Sequence, residues 1–145
     1  MSIEEIILLL QRSMAESYIL DITPRPAPRP IRSRGVIRMP SWYKDYKGNV
    51  IDALREEGVR GGPDVFGLII QSFFKYPKST KPSGLVEGQF TSINKDLDNL
   101  SKGVLDALQD GRFIGNDKQI AFLISAKMRT IQSPHIQLTT LRSKL

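Results

Sequence analysis

The sequence predicts an α/β (α+β) fold, a small mixed β-sheet packed by helices, and three observations predict it. Segments 65–74 and 119–129 crowd β-branched, aromatic and aliphatic residues at strand length. Segments 41–57 and 98–108 repeat apolar residues at spacings of three and four, the period of a helix. The two kinds follow one another as strand, helix, strand, helix, strand, strand, the order of a sheet covered by helices. At 145 residues the chain has the length of one domain with a real core, and 1–145 reads as a single domain.

Each element has its own signal. Residues 2–15 read as an amphipathic helix: Ser2 and Glu5 have capping-box spacing, and Ile3, Ile6, Ile7, Leu10 and Met14 share a face. That face is expected to pack on the domain or on a partner subunit. Tyr18 to Ile22 alternates like a short strand. Residues 23–39 are different: Pro24, Pro26, Pro28 and Pro30 are interleaved with Arg25 and Arg29, and Arg32, Arg34 and Arg38 follow. Proline removes backbone donors, so this stretch is expected to be neither helix nor central strand but a stiff, extended, basic arm. In 41–57 the stripe is Tyr43, Tyr46, Val50, Ile51 and Leu54, ended by Gly58, Gly61, Gly62 and Pro63. Residues 75–94 read as loop. The helix at 98–108 has Asp98 as its expected N-cap, a stripe of Leu100, Val104, Leu105 and Leu108, and Asp110-Gly111 as its stop. Gly115-Asn116-Asp117 is a turn, and 136–141 is the last strand, with His135 beside it as a structural or surface residue.

Composition removes whole classes of function. There is no cysteine and one histidine, which excludes disulfide scaffolds, thiolate zinc, iron–sulfur clusters and a cysteine nucleophile. No apolar run approaches the roughly 20 residues of a membrane-spanning helix, so no membrane partner is expected. Glu4 and Glu5 precede a short apolar run, unlike a secretory signal, so a retained N-terminus and a cytoplasmic location are expected. The net charge of +6 points to an anionic partner, nucleic acid first.

The chemistry is concentrated in Lys95-Asp96-Leu97-Asp98-Asn99-Leu100-Ser101-Lys102. In an extended segment residues two apart point to the same side, so Asp96 and Asp98 can reach one volume. Lys102 lies one helical turn beyond Asp98. Asp117 sits in a turn before a strand, where its side chain can project from the end of the sheet. Three carboxylates and a lysine are hard oxygen ligands plus a fixed cation, a set that suits Mg²⁺, or Mn²⁺ in its place, and phosphodiester hydrolysis. The same residues have a structural reading: Asp98 as a cap, Lys102 paired with Asp98 or Asp106, Asp117 as a turn former. Asp106, two turns along, reads as outside the cluster. Arg25, Arg29, Arg32, Arg34, Arg38 and Lys44, with Lys47 and Lys95, are expected to contact DNA phosphates. Trp42, Tyr43 and Tyr46 stand beside them, either to stack on unpaired bases or, for the two tyrosines, as core. A non-catalytic basic DNA-binding protein is the alternative, and a proline-rich partner-binding protein a third.

The blocks Asp96-Leu97-Asp98-Asn99-Leu100 with Lys102, Leu105-Asp106-Ala107-Leu108, and Asn116-Asp117-Lys118-Gln119-Ile120, behind the Pro-Arg series and Tyr43-Lys44-Asp45-Tyr46-Lys47, resemble the RusA-like Holliday junction resolvases. The resemblance runs over about 18–141, the resolvase-like part, and leaves the helix at 2–15 outside. It implies an endodeoxyribonuclease that resolves four-way DNA junctions in recombination and repair, uses Mg²⁺ without a small-molecule cofactor, and acts as a homodimer. It implies Asp96, Asp98 and Asp117 as catalytic metal ligands and Lys102 as the catalytic lysine. Such proteins are frequent in bacteriophages and prophages, so a bacterial or phage-infected cytoplasm is the implied setting. Two departures stand out: Asn116 occupies a place where members often carry a second aspartate, and Lys81-Pro82 lies far upstream of Asp96. Twofold symmetry is expected on physical grounds too, because two symmetric nicks need two related sites.

Overall fold

The computed structural model describes residues 1–144. Its elements run α1 (Ile3–Gln11), β1 (Met14–Leu20), β2 (Ile31–Ser33), β3 (Val36–Arg38), α2 (Ser41–Glu56), β4 (Val65–Lys75), α3 (Leu97–Asp110), β5 (Phe122–Thr130) and β6 (His135–Arg142). The main sheet has four strands in the order β1-β6-β4-β5, and β2 and β3 pair apart from it. β4 and β5 are parallel, whereas β6 is antiparallel to both β1 and β4. Parallel neighbours need a crossover connection, and α3 is that crossover. This is the mixed sheet packed by helices that the pattern predicts.

The helices form where apolar residues can reach the sheet. Tyr43, Tyr46, Val50 and Leu54 of α2, and Val104, Ala107 and Leu108 of α3, form one core with Leu20, Leu68, Ile70, Ile136 and Leu138, and Leu100 of α3 is buried as well. Each fully buried aliphatic side chain contributes about 1.5–3 kcal/mol. Gly103 lets α2 and α3 approach, since a Cβ there would stand 3.3 Å from the Tyr46 ring. At the far end of the sheet Arg142 is almost fully buried. Its guanidinium donates to both Asp64 carboxylate oxygens at 3.1 Å and to the Arg60 carbonyl at 2.6 Å, tying β6 to the start of β4. No helix among the described residues is long and apolar enough to cross a membrane.

Four expectations need correction. The first helix has its Ser2–Glu5 capping box but ends at Gln11, and Met14 opens a strand. Pairing with β6 decides this segment: Ser17 lies opposite Thr139, and their hydroxyls are 2.8 Å apart. The arm is not extended throughout. Its first half is packed: the Arg25 amide donates to the Tyr46 hydroxyl at 3.2 Å, the Ala27 amide donates to the Asn99 carbonyl at 2.9 Å, and Ala27 is buried. Its second half, free of proline between Ile31 and Met39, folds into the β2–β3 hairpin. Finally, α3 begins at Leu97, so its N-cap is Asp96 and not Asp98, and β5 starts at Phe122 and not at Gln119 because Asp117–Gln119 is a 3₁₀ turn.

Tyr43 is buried and donates to the Asp106 carboxylate at 2.6 Å. Burial, then Asp106, pushes its hydroxyl pKa far above the usual tyrosine value, and burial also raises Tyr46. In the unfolded chain these hydroxyls lose their protons near pH 10. Above that pH the unfolded state binds fewer protons than the native state, so the stability that is complete below pH 10 declines as pH rises. Urea midpoints are therefore expected to drop between pH 8 and pH 11. Tyr43→Phe should show a shallower drop, and a slope equal to the parent's would disprove the assignment to Tyr43.

Candidate functional site

One face of α3 stays out of the core and borders an open groove. Asp98, Lys102 and Leu105 lie at spacings of four and three, so they form one stripe along the helix. The groove, about 660 Å³, is bounded by this stripe with Leu97, Ser101 and Asp106, by Asp117 of the 3₁₀ turn, and by Leu123 and Ser125 of β5. Its floor is fixed by the hydrogen bond between the Ser101 and Ser125 hydroxyls, which ties α3 to β5.

Of the residues singled out by sequence, Asp98, Lys102 and Asp117 line this groove and Asp96 does not. The reason is the helix start. Asp96 and Asp98 do not lie in one extended segment, so the same-side rule fails, and residues two apart across a helix start diverge. The Asp96 carboxylate instead accepts from the Asn99 side-chain amide at 3.2 Å. Asp98 sits in the first turn of α3, where the helix dipole favours a negative charge. Asp106, expected outside the cluster, lines the groove too and accepts from Lys102 at 3.4 Å and from Tyr43. That carboxylate links the exposed lysine to the core.

Several positioning residues escaped the sequence reading. Gln119 accepts from the Gly115 amide at 2.8 Å and donates to the Gly62 and Val65 carbonyls at 3.0 and 2.9 Å, which holds the Asp117 turn against the start of β4. Asn116 caps that turn by accepting from the Lys118 amide at 2.9 Å. An asparagine can fill that role as well as an aspartate. Lys127 donates to the Ile93 and Lys95 carbonyls, both at 3.0 Å, and so anchors the approach to α3 on β5. The signal for Asn116 and Gln119 lay in their own block beside Asp117; Lys127 had none, since its partners are backbone atoms more than thirty residues away in sequence.

The basic residues fall into two groups. Arg29, Arg32, Arg34, Arg38 and Lys44 are exposed, while Lys95 is half-buried. Arg25 lies 3.8 Å over the Trp42 ring, which covers one face of that indole. Tyr43 and Tyr46 are core, so neither can stack on a base.

The donors facing the groove are carboxylate oxygens, which fit a hard divalent cation and not zinc. Among the described residues no three acidic or histidine side chains stand together closely enough to hold a metal by themselves. Mg²⁺ does not require that, because it commonly takes one or two carboxylates and completes its shell with water and substrate phosphate. Asp98 and Asp117 are the groove residues that would hold it.

A family model described as endodeoxyribonuclease RusA matches residues 21–140, from the end of β1 to within β6. No curated protein sequence matches the chain.

Proposed function

The chain belongs to the RusA endodeoxyribonuclease family, and from that premise we propose that it resolves four-way DNA junctions by paired symmetric nicks, as a Mg²⁺-dependent homodimer serving recombination and repair. The observation that carries this reading is the placing of Asp98, Asp117 and Lys102 on one open groove. The metal, when bound, supplies an acidified water and charge stabilisation for the scissile phosphate. Asp98 and Asp117 hold it, and Lys102 offers a fixed positive charge to the phosphate as negative charge develops. Asp106 keeps that ammonium over the groove. The exposed arginines of the arm neutralise phosphates on the flanking duplex. Self-association is supported by α1, which has no buried residue and exposes Ile3, Ile7, Leu8 and Leu9.

The test is one incubation of the purified protein with a synthetic four-way junction and with linear duplex of the same sequence, with and without Mg²⁺. Nicks at symmetric positions on two opposed strands are expected with the junction and Mg²⁺ only. Sedimentation of the same preparation should give about twice the chain mass of 16.3 kDa. A folded protein that binds both DNAs and nicks neither in Mg²⁺ would be the basic DNA-binding protein instead.

A further inference from the structure

The β2–β3 hairpin is built unlike a simple phosphate clamp. All six of its strand residues are exposed, and three are large and aliphatic: Ile31 at 43%, Val36 at 62% and Ile37 at 59%. A two-stranded hairpin standing alone is marginally stable in water, so bare aliphatic side chains on it call for an apolar partner. Each isoleucine faces an arginine across the ladder, Ile31 opposite Arg38 and Ile37 opposite Arg32. At the tip, Arg34 and Gly35 both have positive φ, 51° and 76°, which makes a type I′ turn. Asparagine or aspartate is the usual residue in the first of these places, and an arginine there carries a conformational cost. Its charge is thus held at the extreme end of the hairpin.

Charge decides what the partner is. From Ile22 to Lys44 the chain contains Arg25, Arg29, Arg32, Arg34, Arg38 and Lys44 and no acidic residue. A partner that is apolar within and anionic at its rim is nucleic acid whose bases are unstacked. The place of the hairpin agrees. Ala27 is bonded to Asn99, the neighbour of Asp98, and β2 begins four residues later, within about 14 Å of that bond at full extension. The hairpin therefore stands close to the end of α3 that carries Asp98.

We propose that the β2–β3 hairpin is a wedge for the branch point of DNA, with Val36 and Ile37 packed against unstacked base faces and Arg32, Arg34 and Arg38 on the flanking phosphates. It is the element that prefers branched over linear DNA. Apolar side chains inserted between base steps are a known way of stabilising distorted duplexes. The inference rests on the junction-cutting reading above.

The experiment uses the full chain, a four-way junction with 2-aminopurine beside the branch point, and a linear duplex of equal length. The parent should bind the junction more tightly and raise the 2-aminopurine fluorescence as the base unstacks. Val36→Thr/Ile37→Thr keeps charge and β-branching while removing apolar surface. Its junction-to-duplex affinity ratio should fall about tenfold, and the fluorescence rise should be lost. Val36→Ile/Ile37→Val stays apolar and should keep both. Arg32→Ala/Arg34→Ala should instead lower affinity for both DNAs and flatten the salt dependence by up to about 0.9 log unit per lost contact. A parent with no junction preference overturns the function and the wedge together. A parent whose preference and fluorescence rise survive in the threonine variant overturns the wedge alone. So does a threonine variant that turns monomeric and keeps its preference, which would assign the hairpin to a subunit interface.

Discussion

Asp98→Asn is expected to bind a four-way junction and to leave it uncut. The carboxylate lies in the first turn of α3 and lines the groove, and its Oδ1 accepts from the Asn99 amide at 3.0 Å. Asparagine has nearly the same size and can still accept that bond, so fold and self-association should survive. The substitution removes one of the two charges that would hold a divalent cation. Junction affinity should be unchanged or higher, because a carboxylate facing the phosphate backbone is repulsive when no cation lies between them. Cleavage should fall by about three orders of magnitude or more, since in the proposed reaction both the nucleophile and the charge stabilisation would depend on the metal. A suitable control is Asp52→Asn, on an exposed position of α2 away from the groove. Asp106 cannot serve, because it borders the groove and holds Lys102. A variant at Asp98 that nicks the junction as fast as the parent would reduce this residue to a helix-start charge.

Much of this arrangement was legible in the residues, and the illegible parts have a common cause. The α2 stripe and the β4 run fell within a residue or two of their observed ends, because local period and burial agree there. The groove's Asp98 and Lys102 were legible because four residues apart on a helix is a local relation. What failed was whatever depended on partners distant in sequence. Residues 14 and 15 continue the helical pattern of α1, yet they pair with β6 more than a hundred residues away. The Pro-Arg segment reads as a stiff, extended arm, and the packing of its first half rests on Tyr46 and Asn99. Asp106 looked remote from Asp117 along the chain, and the β4–α3–β5 crossover puts both on one groove. The error over Asp96 is local instead: moving the N-cap by two residues, from Asp98 to Asp96, turns an expected same-side pair into a divergent one.

Lys102→Gln is expected to cost about 10²–10³ in the rate of strand cutting, the usual loss when one donor to developing charge is removed. The Lys102 side chain is 56% exposed, and its ammonium reaches no carboxylate other than Asp106 among the described ion pairs, at 3.4 Å. An exposed pair of this kind contributes little to stability, so its deletion should leave the fold intact. Its geometry is better explained by what it faces, a groove with Asp98 and Asp117 on its walls. Saturating single-turnover measurements should place the loss in the cutting step and leave junction affinity within a few fold, because one phosphate contact among many is a small part of binding. Lys102→Arg keeps the charge with a wider, planar head and should recover part of the rate. Asp106→Asn is the companion test. It can still accept from Tyr43, but it loosens its hold on the ammonium, so its loss should be smaller, about tenfold. Combined with Lys102→Gln, Asp106→Asn should add almost nothing, since its effect runs through the lysine. Full additivity of the two would give Asp106 a role of its own, and a Lys102→Gln protein cutting within twofold of the parent would remove the lysine from the chemistry.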